Sequence, residues 1–345
     1  MEERIQKFLR FVLVIALIAL LGWYMWNSYM GHEPALSIQE DKVTGHDRLF
    51  GIHHSREKTW AVGKYGLILC SGDGGKNWKK QNSGTTRALT AVSFADDQCG
   101  FVVGTGGTIL ATADGGLSWK AQNSGTDEQF LMVQALSKDE VHVVGGFGTL
   151  ISTADGGKTW NRQTLDWKKL IPRGSEESLA LEPNLNGVYF IDPKLGWIIG
   201  ECGLVLCTKD GGQSWISQRY DVRFQQLCAV WLQDPHTGWA VGQKGTFIRT
   251  SDGGRHWTAV NLGTEKDLYA ISLHGQDGII VGDGIAFKTN NGGSTWTKVG
   301  SIPDHWFSGV AIASMSRVAL AVGQDGAIHL IDLTEVKGGS STHEK

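Results

Sequence analysis

Arg48, Arg87, Arg223 and Arg249, with Tyr65, Tyr189, Tyr220 and Tyr269, are the side chains from which this chain would have to build a hydrolytic site for an acidic sugar. That chemistry needs three guanidinium groups converging on one carboxylate, a Tyr nucleophile partnered by Glu, and a carboxylic acid/base. The Arg-Ile-Pro element that opens such sites is missing, and Arg249 lies in a strand that runs directly into a turn. Metal chemistry has no better foundation. His53 and His54 are neighbours in a strand and point to opposite faces, while His142, His236, His256, His274 and His329 are scattered over four repeats. The paired glycines open strands and not helices, so they form no phosphate cradle. These residues predict no catalytic site, no metal and no cofactor.

What the spacing does specify is a repeat. SGDGGKNW at Ser71–Trp78 recurs as TADGGLSW at Thr112–Trp119, TADGGKTW at Thr153–Trp160, TKDGGQSW at Thr208–Trp215, TSDGGRHW at Thr250–Trp257 and TNNGGSTW at Thr289–Trp296. The key positions Asp73, Asp114, Asp155, Asp210, Asp252 and Asn291 are 41, 41, 55, 42 and 39 residues apart, a period in the range of propeller blades. The Asp carboxylate is expected to accept backbone N–H groups of its own turn, and the glycines to take backbone angles that a Cβ disfavours. The Trp five residues after the Asp then buries its ring against the blade. These Asp-box residues are therefore predicted to be structural. The 47 glycines and 14 tryptophans of the 345-residue chain are accounted for by recurring turns and a recurring aromatic slot.

Upstream of each box stands a short strand ending in V-G-x-x-G or a close variant, from Val62–Gly66 to Val241–Gly245, with a shortened form at Val281–Gly284. Before that comes an alternating apolar strand such as LTAVSF from Leu89, and the Trp-led segment supplies a fourth strand. Four strands make one antiparallel blade. Trp306–Leu333 repeats the first three strands without a box, so a seventh blade lacks its outer strand. Residues 35–43, ALSIQEDKV, are expected to supply it, because Ile38 precedes Leu49 by the same 11 residues that separate Trp78 from Leu89. Such an exchange removes the exposed sheet edges of an open ring. The predicted fold class is all-β, a seven-bladed β-propeller over residues 32–335.

The segment from Phe8 to Met30 is apolar for long enough to cross a bilayer core, which needs about 20 helical residues. Arg4, Lys7 and Arg10 precede it and no Lys or Arg follows until Lys42, so the N-terminus is expected in the cytoplasm and the propeller on the periplasmic side. Trp23, Tyr24, Trp26 and Tyr29 suit the outer headgroup layer, and their bulk leaves no convincing signal-peptide cleavage site. Residues 1–31 thus read as a cytoplasmic N-terminus and single-pass anchor in the inner membrane, and residues 336–345 as a disordered tail. The net charge of −3 has no basic stripe, which sets nucleic acid aside as a partner. Cys70, Cys99, Cys202, Cys207 and Cys228 are too few and too irregular for a disulfide framework.

T-x-D-G-G-x-x-W in nearly every repeat, with G-W-x-x-G-x-x-G upstream at Gly196–Gly203 and Gly238–Gly245, resembles the photosystem II assembly and stability factors of cyanobacteria and plastids, within the wider neuraminidase-repeat group. The resemblance covers residues 34–333. It implies a non-enzymatic, chaperone-like propeller that binds newly made membrane subunits during complex assembly. The chain departs from that pattern in carrying a hydrophobic segment in place of a lipid-modified Cys.

Binding in such propellers is expected on the face opposite the boxes, where the V-G-x-x-G turns and inter-blade loops gather. The turns bring Lys64, Tyr65, Phe147, Glu201, Gln243, Lys244, Asp283 and Asp325 there, and the loops bring Arg87, Gln129, Arg223, His305 and Trp306. An insertion from Asp166 to Pro183 follows the third blade on the same side, with Trp167, Lys168, Lys169 and Arg173 as a basic-aromatic hook. The partner-binding set is thus Tyr65, Arg87, Phe147, Trp167, Lys168, Lys169, Arg173, Arg223 and Trp306, expected to contact protein subunits of a membrane complex. Two alternatives stand beside it. One exposed platform of Trp167, Phe147 and Trp306 would favour a glycan or cell-wall ligand, and convergent arginines would favour a sialidase-like hydrolase.

Overall fold

A computed structural model of the chain describes residues 47–171, 182–220, 225–313 and 317–334. The hydrophobic segment 8–30, the strand expected from residues 35–43, Arg173, Arg223 and the tail lie outside the described residues. Among the described residues no helix is long and apolar enough to cross a membrane.

The alternating segments form seven antiparallel sheets, one per repeat. Their innermost strands are Leu49–Ser55, Leu89–Phe94, Phe130–Ala135, Leu185–Phe190, Leu227–Leu232, Leu268–His274 and Phe307–Ala313, which begin blades 1 to 7. Blades 1, 2, 3, 4 and 6 have four strands, and blade 7 has three among the described residues. Blade 5 gains a fifth, Arg219–Tyr220, which runs parallel to His256–Trp257 at its outer edge. Outer strands are short, from two residues in Asn161–Arg162 to four in His256–Ala259.

A bulge near the start of every innermost strand leaves one residue without a ladder partner: Phe50, Thr90, Leu131, Asn186, Cys228, Tyr269 and Ser308. Three of these use the freedom to bond the next blade. Thr90 Oγ1 donates to Phe130 O at 2.8 Å, Asn186 Nδ2 to Leu227 O at 2.8 Å, and Ser308 Oγ to Leu49 O at 3.0 Å. The last joins blade 7 to blade 1 and closes the ring. The seven innermost strands surround an axial channel of about 390 Å³.

The buried side chains fall into seven clusters, one at each blade-to-blade interface. A single blade cannot cover both its faces, so burial and blade stacking are one event. The interface of blades 1 and 2 shows the pattern. Trp60 stacks on Phe94 with centroids 3.6 Å apart, and Trp119 meets the same Phe94 edge-on at 5.9 Å.

Within each box the geometry is local. Thr112 Oγ1 donates to Asp114 Oδ1 at 2.7 Å and accepts Gly116 N at 2.9 Å. Asp114 accepts Ser118 N at 2.9 Å and Ser118 Oγ at 2.5 Å. These Ser118 bonds, led by the hydroxyl, hold the Asp114 carboxyl down at about 2. In blade 6 the polarity of the outer bond reverses, since Asn291 Nδ2 donates to Thr295 Oγ1 at 2.8 Å. Thr112 is 6% exposed. Thr112→Val therefore strands the Gly116 N–H and is expected to cost about 1–3 kcal/mol, read as a lowered urea midpoint at unchanged slope.

Candidate partner-binding face

The turns between the second and third strands share a conformation that the sequence pattern concealed. In six turns the residue before the last glycine is left-handed: Tyr65 (φ 57°), Gly106 (60°), Phe147 (49°), Cys202 (51°), Lys244 (52°) and Asp325 (54°), and in the shortened turn of blade 6 the last glycine itself, Gly284 (57°), takes that conformation. Five of the seven carry a side chain where glycine would be unstrained, at roughly 1 kcal/mol each. The turns are held to the loops entering their own and the following blade. Thr105 N donates to Ala88 O at 2.9 Å and Gly107 N to Glu128 O at 2.8 Å in blade 2, as Gln243 N and Gly245 N do to Gln226 O and Lys266 O in blade 5.

The side chains expected on this face differ in how they are held, where they fall among the described residues. Tyr65 and Phe147 stand out from it, 54% and 61% exposed, and Lys64 Nζ lies 4.4 Å from the Tyr65 ring centroid. Arg87 is exposed and its Nη1 donates to Gly106 O. Glu201 is occupied by Asn184, accepting its N at 3.0 Å and its Nδ2 at 2.8 Å.

The expected hook is not presented as such. Trp167 begins a short helix, Trp167–Leu170, and is buried among Val144, Leu150 and Leu185, its ring directly over Gly148. The apolar gap between blades 3 and 4 takes up the ring, so Trp167 braces the insertion and is unavailable to a partner. Lys168 and Lys169 remain exposed, and Lys169 pairs with Asp166 at 2.8 Å. Trp306 is half-buried, stacked on Phe50 with centroids 6.4 Å apart and rings 8° from parallel. Trp167, Phe147 and Trp306 therefore form no common exposed platform, and the glycan alternative loses the feature that would have favoured it.

The hydrolytic candidates that fall among the described residues are equally dispersed. Arg249 stays in the third strand of blade 5, its guanidinium 6.0 Å from the Trp239 ring centroid, far around the ring from Arg87 on blade 2. Tyr189 lies in the channel wall and donates its hydroxyl to Leu232 O at 3.0 Å, and burial pushes its pKa up to about 12. Among the described residues no group of three His, Cys, Asp or Glu is placed to hold a metal ion. All five cysteines are free, and burial, reinforced by Asp267, pushes the Cys228 thiol up to about 12. That thiol is protonated and inert at neutral pH.

One set of blade-to-blade contacts has a signal in the sequence. Three residues after the box Trp of blades 1, 2 and 3 stand Gln81, Gln122 and Gln163, and each accepts the indole N–H of the following blade's box: Trp119 at 3.2 Å, Trp160 at 3.1 Å and Trp215 at 3.2 Å. In blade 5 the same position is Val260, and the buried Trp296 N–H of blade 6 has no partner.

A profile of the family described as Photosynthesis system II assembly factor YCF48 matches residues 81–176 and 219–329, more than half of the chain. The chain belongs to that family. Over 81 residues it is 34% identical to the chloroplastic Photosystem II stability/assembly factor HCF136 of Arabidopsis thaliana, an alignment spanning 22% of this chain and 20% of that protein. The fold is similar to YCF48 from Cyanidioschyzon merolae, with a TM-score of 0.69 at 19% identity over 84% of this chain and 97% of that one. It is similar to YCF48 bound to a D1 peptide, with a TM-score of 0.65 at 18% identity over 88% and 97%. The GH74 xyloglucanase of Xanthomonas campestris shares the fold at a TM-score of 0.67 and 12% identity, over 86% of this chain and 53% of that one. At these identities the structural likeness is one of fold, which hosts binding and hydrolysis alike.

Proposed function

We propose that the chain is a membrane-anchored, exported, non-catalytic assembly or stability factor that holds a protein subunit of a membrane complex against the face bearing Tyr65, Arg87 and Phe147. Membership of the YCF48 family carries this reading. It is supported by the D1 peptide bound to a propeller of the same fold, and by exposed side chains kept at strained turn positions of one face. Residues 8–30 supply the anchor, with the N-terminus cytoplasmic and the propeller periplasmic.

A membrane-impermeant amine cross-linker added to intact spheroplasts tests partner and topology together, because Lys64 and Lys244 stand in the turns of the proposed face. The expected result is a cross-linked species of about one-to-one stoichiometry with an integral membrane subunit. Cross-links that form only after lysis would overturn the topology. Failure to link any membrane subunit in either preparation would overturn the partner reading.

A further inference from the structure

We infer that Tyr65, Arg87 and Phe147, on three successive blades, form a recognition strip for an extended polypeptide that presents a carboxylate between two apolar side chains. This deepens the partner-binding reading and rests on it. Tyr65 and Phe147 occupy the left-handed position of their turns, and both rings stand in solvent, so packing within the fold does not repay the strain. Phe147 is the more exposed, and the Tyr65 ring meets Lys64 beside it.

Between them, in blade 2, the same position is Gly106. A Cβ there would collide with the Arg87 guanidinium, which lies across the turn and donates one N–H to the Gly106 carbonyl. Arg87 thus fills the place of the missing side chain. It has no acidic partner among the described residues, and most of its five N–H donors remain available to a planar carboxylate. The three groups follow the order of the blades: Gly66, next to Tyr65, packs on the Thr85 carbonyl of the loop that carries Arg87, and Gly107 N bonds Glu128 O in the loop leading to blade 3. Blade faces pack about 10 Å apart, so the strip spans about 20 Å, or about six extended residues.

The test uses the full chain in detergent micelles and a labelled eight-residue peptide with one central Asp flanked by two Leu in a Ser background, read by fluorescence anisotropy. Peptides with central Asn or Lys serve as comparisons. The Asp peptide is expected to bind at least tenfold more tightly than the Asn peptide, and the Lys peptide more weakly still. Arg87→Ala should reduce the Asp-over-Asn preference to about one. Tyr65→Gly and Phe147→Gly should each weaken binding at least fivefold while raising the melting temperature, because glycine relieves the turn. Equal binding of the three peptides, no binding of the Asp peptide, or a fall in melting temperature on either glycine substitution would overturn the strip. If any of these occurs while the intact chain still cross-links to a membrane subunit, the partner reading survives and only the strip fails.

Discussion

Trp215→Ala is expected to lower the stability of the propeller by about 3–5 kcal/mol, the cost of emptying a buried large aromatic site. The indole is 7% exposed, meets Phe190 edge-on with centroids 5.9 Å apart, and donates to Gln163 Oε1 at 3.2 Å and Gly212 O at 3.1 Å. It therefore closes its own box and fastens blade 4 to blade 3. Trp215→Phe keeps most of the packing and loses only the donated bonds, for a cost of about 1 kcal/mol. Urea unfolding followed by far-ultraviolet circular dichroism separates the two variants. Equal losses would mean that the hydrogen bonds, and not the packing of the ring, carry the energy.

The second large effect is a loss of stability between pH 6.5 and about 5 that originates in histidines and not in the boxes. Burial, with a smaller contribution from the neighbouring His54, lowers His53 from 6.5 to about 4. Part of the ring is open to the axial channel, but strands enclose it on every side. Burial also lowers His142, against the opposing pull of Glu140, whose Oε1 lies 3.5 Å away, and its ring stacks on Phe190 at 4.1 Å. Both rings fold neutral. The unfolded chain takes up protons first as pH falls, so the stability present in full above 6.5 is lost between 6.5 and the folded value. For His53 that window closes near pH 4, and the loss is about 2 kcal/mol once solvent in the channel is allowed for.

The boxes contribute only toward the acid end of this window. Asp73, Asp155, Asp210 and Asp252 are held at about 2, like Asp114, by hydrogen bonds from their own turns, so the stability their ionisation gives is present in full above about pH 5 and starts to go as pH nears the unfolded value of 3.8. His142→Phe is the decisive variant, because Trp60, Phe101, Trp197 and Trp239 occupy the equivalent slot of other blades. It should fold normally and show a shallower decline between pH 6.5 and 5 than the parent. His53→Gln should flatten the curve down to about pH 5, below which the box carboxylates add their own loss. Parallel curves for both variants and the parent would refute the histidine origin.

The blades, their number and their turns were legible in the sequence because the interactions that make them are short. Asp114 bonds a residue four positions on, Thr112 likewise, and the glycines beside them mark the backbone reversals. A repeat of such local units at the observed period leaves few folds other than a propeller. Exposure on the binding face was not legible in the same way. Trp167 was expected outside and lies within, while Arg87 closes over Gly106 from 19 residues away and Gln163 reaches Trp215 across 52. These contacts form only when one blade stacks on the next. A repeat motif specifies the turn it builds, and the neighbouring blade then determines which of that turn's side chains water can reach.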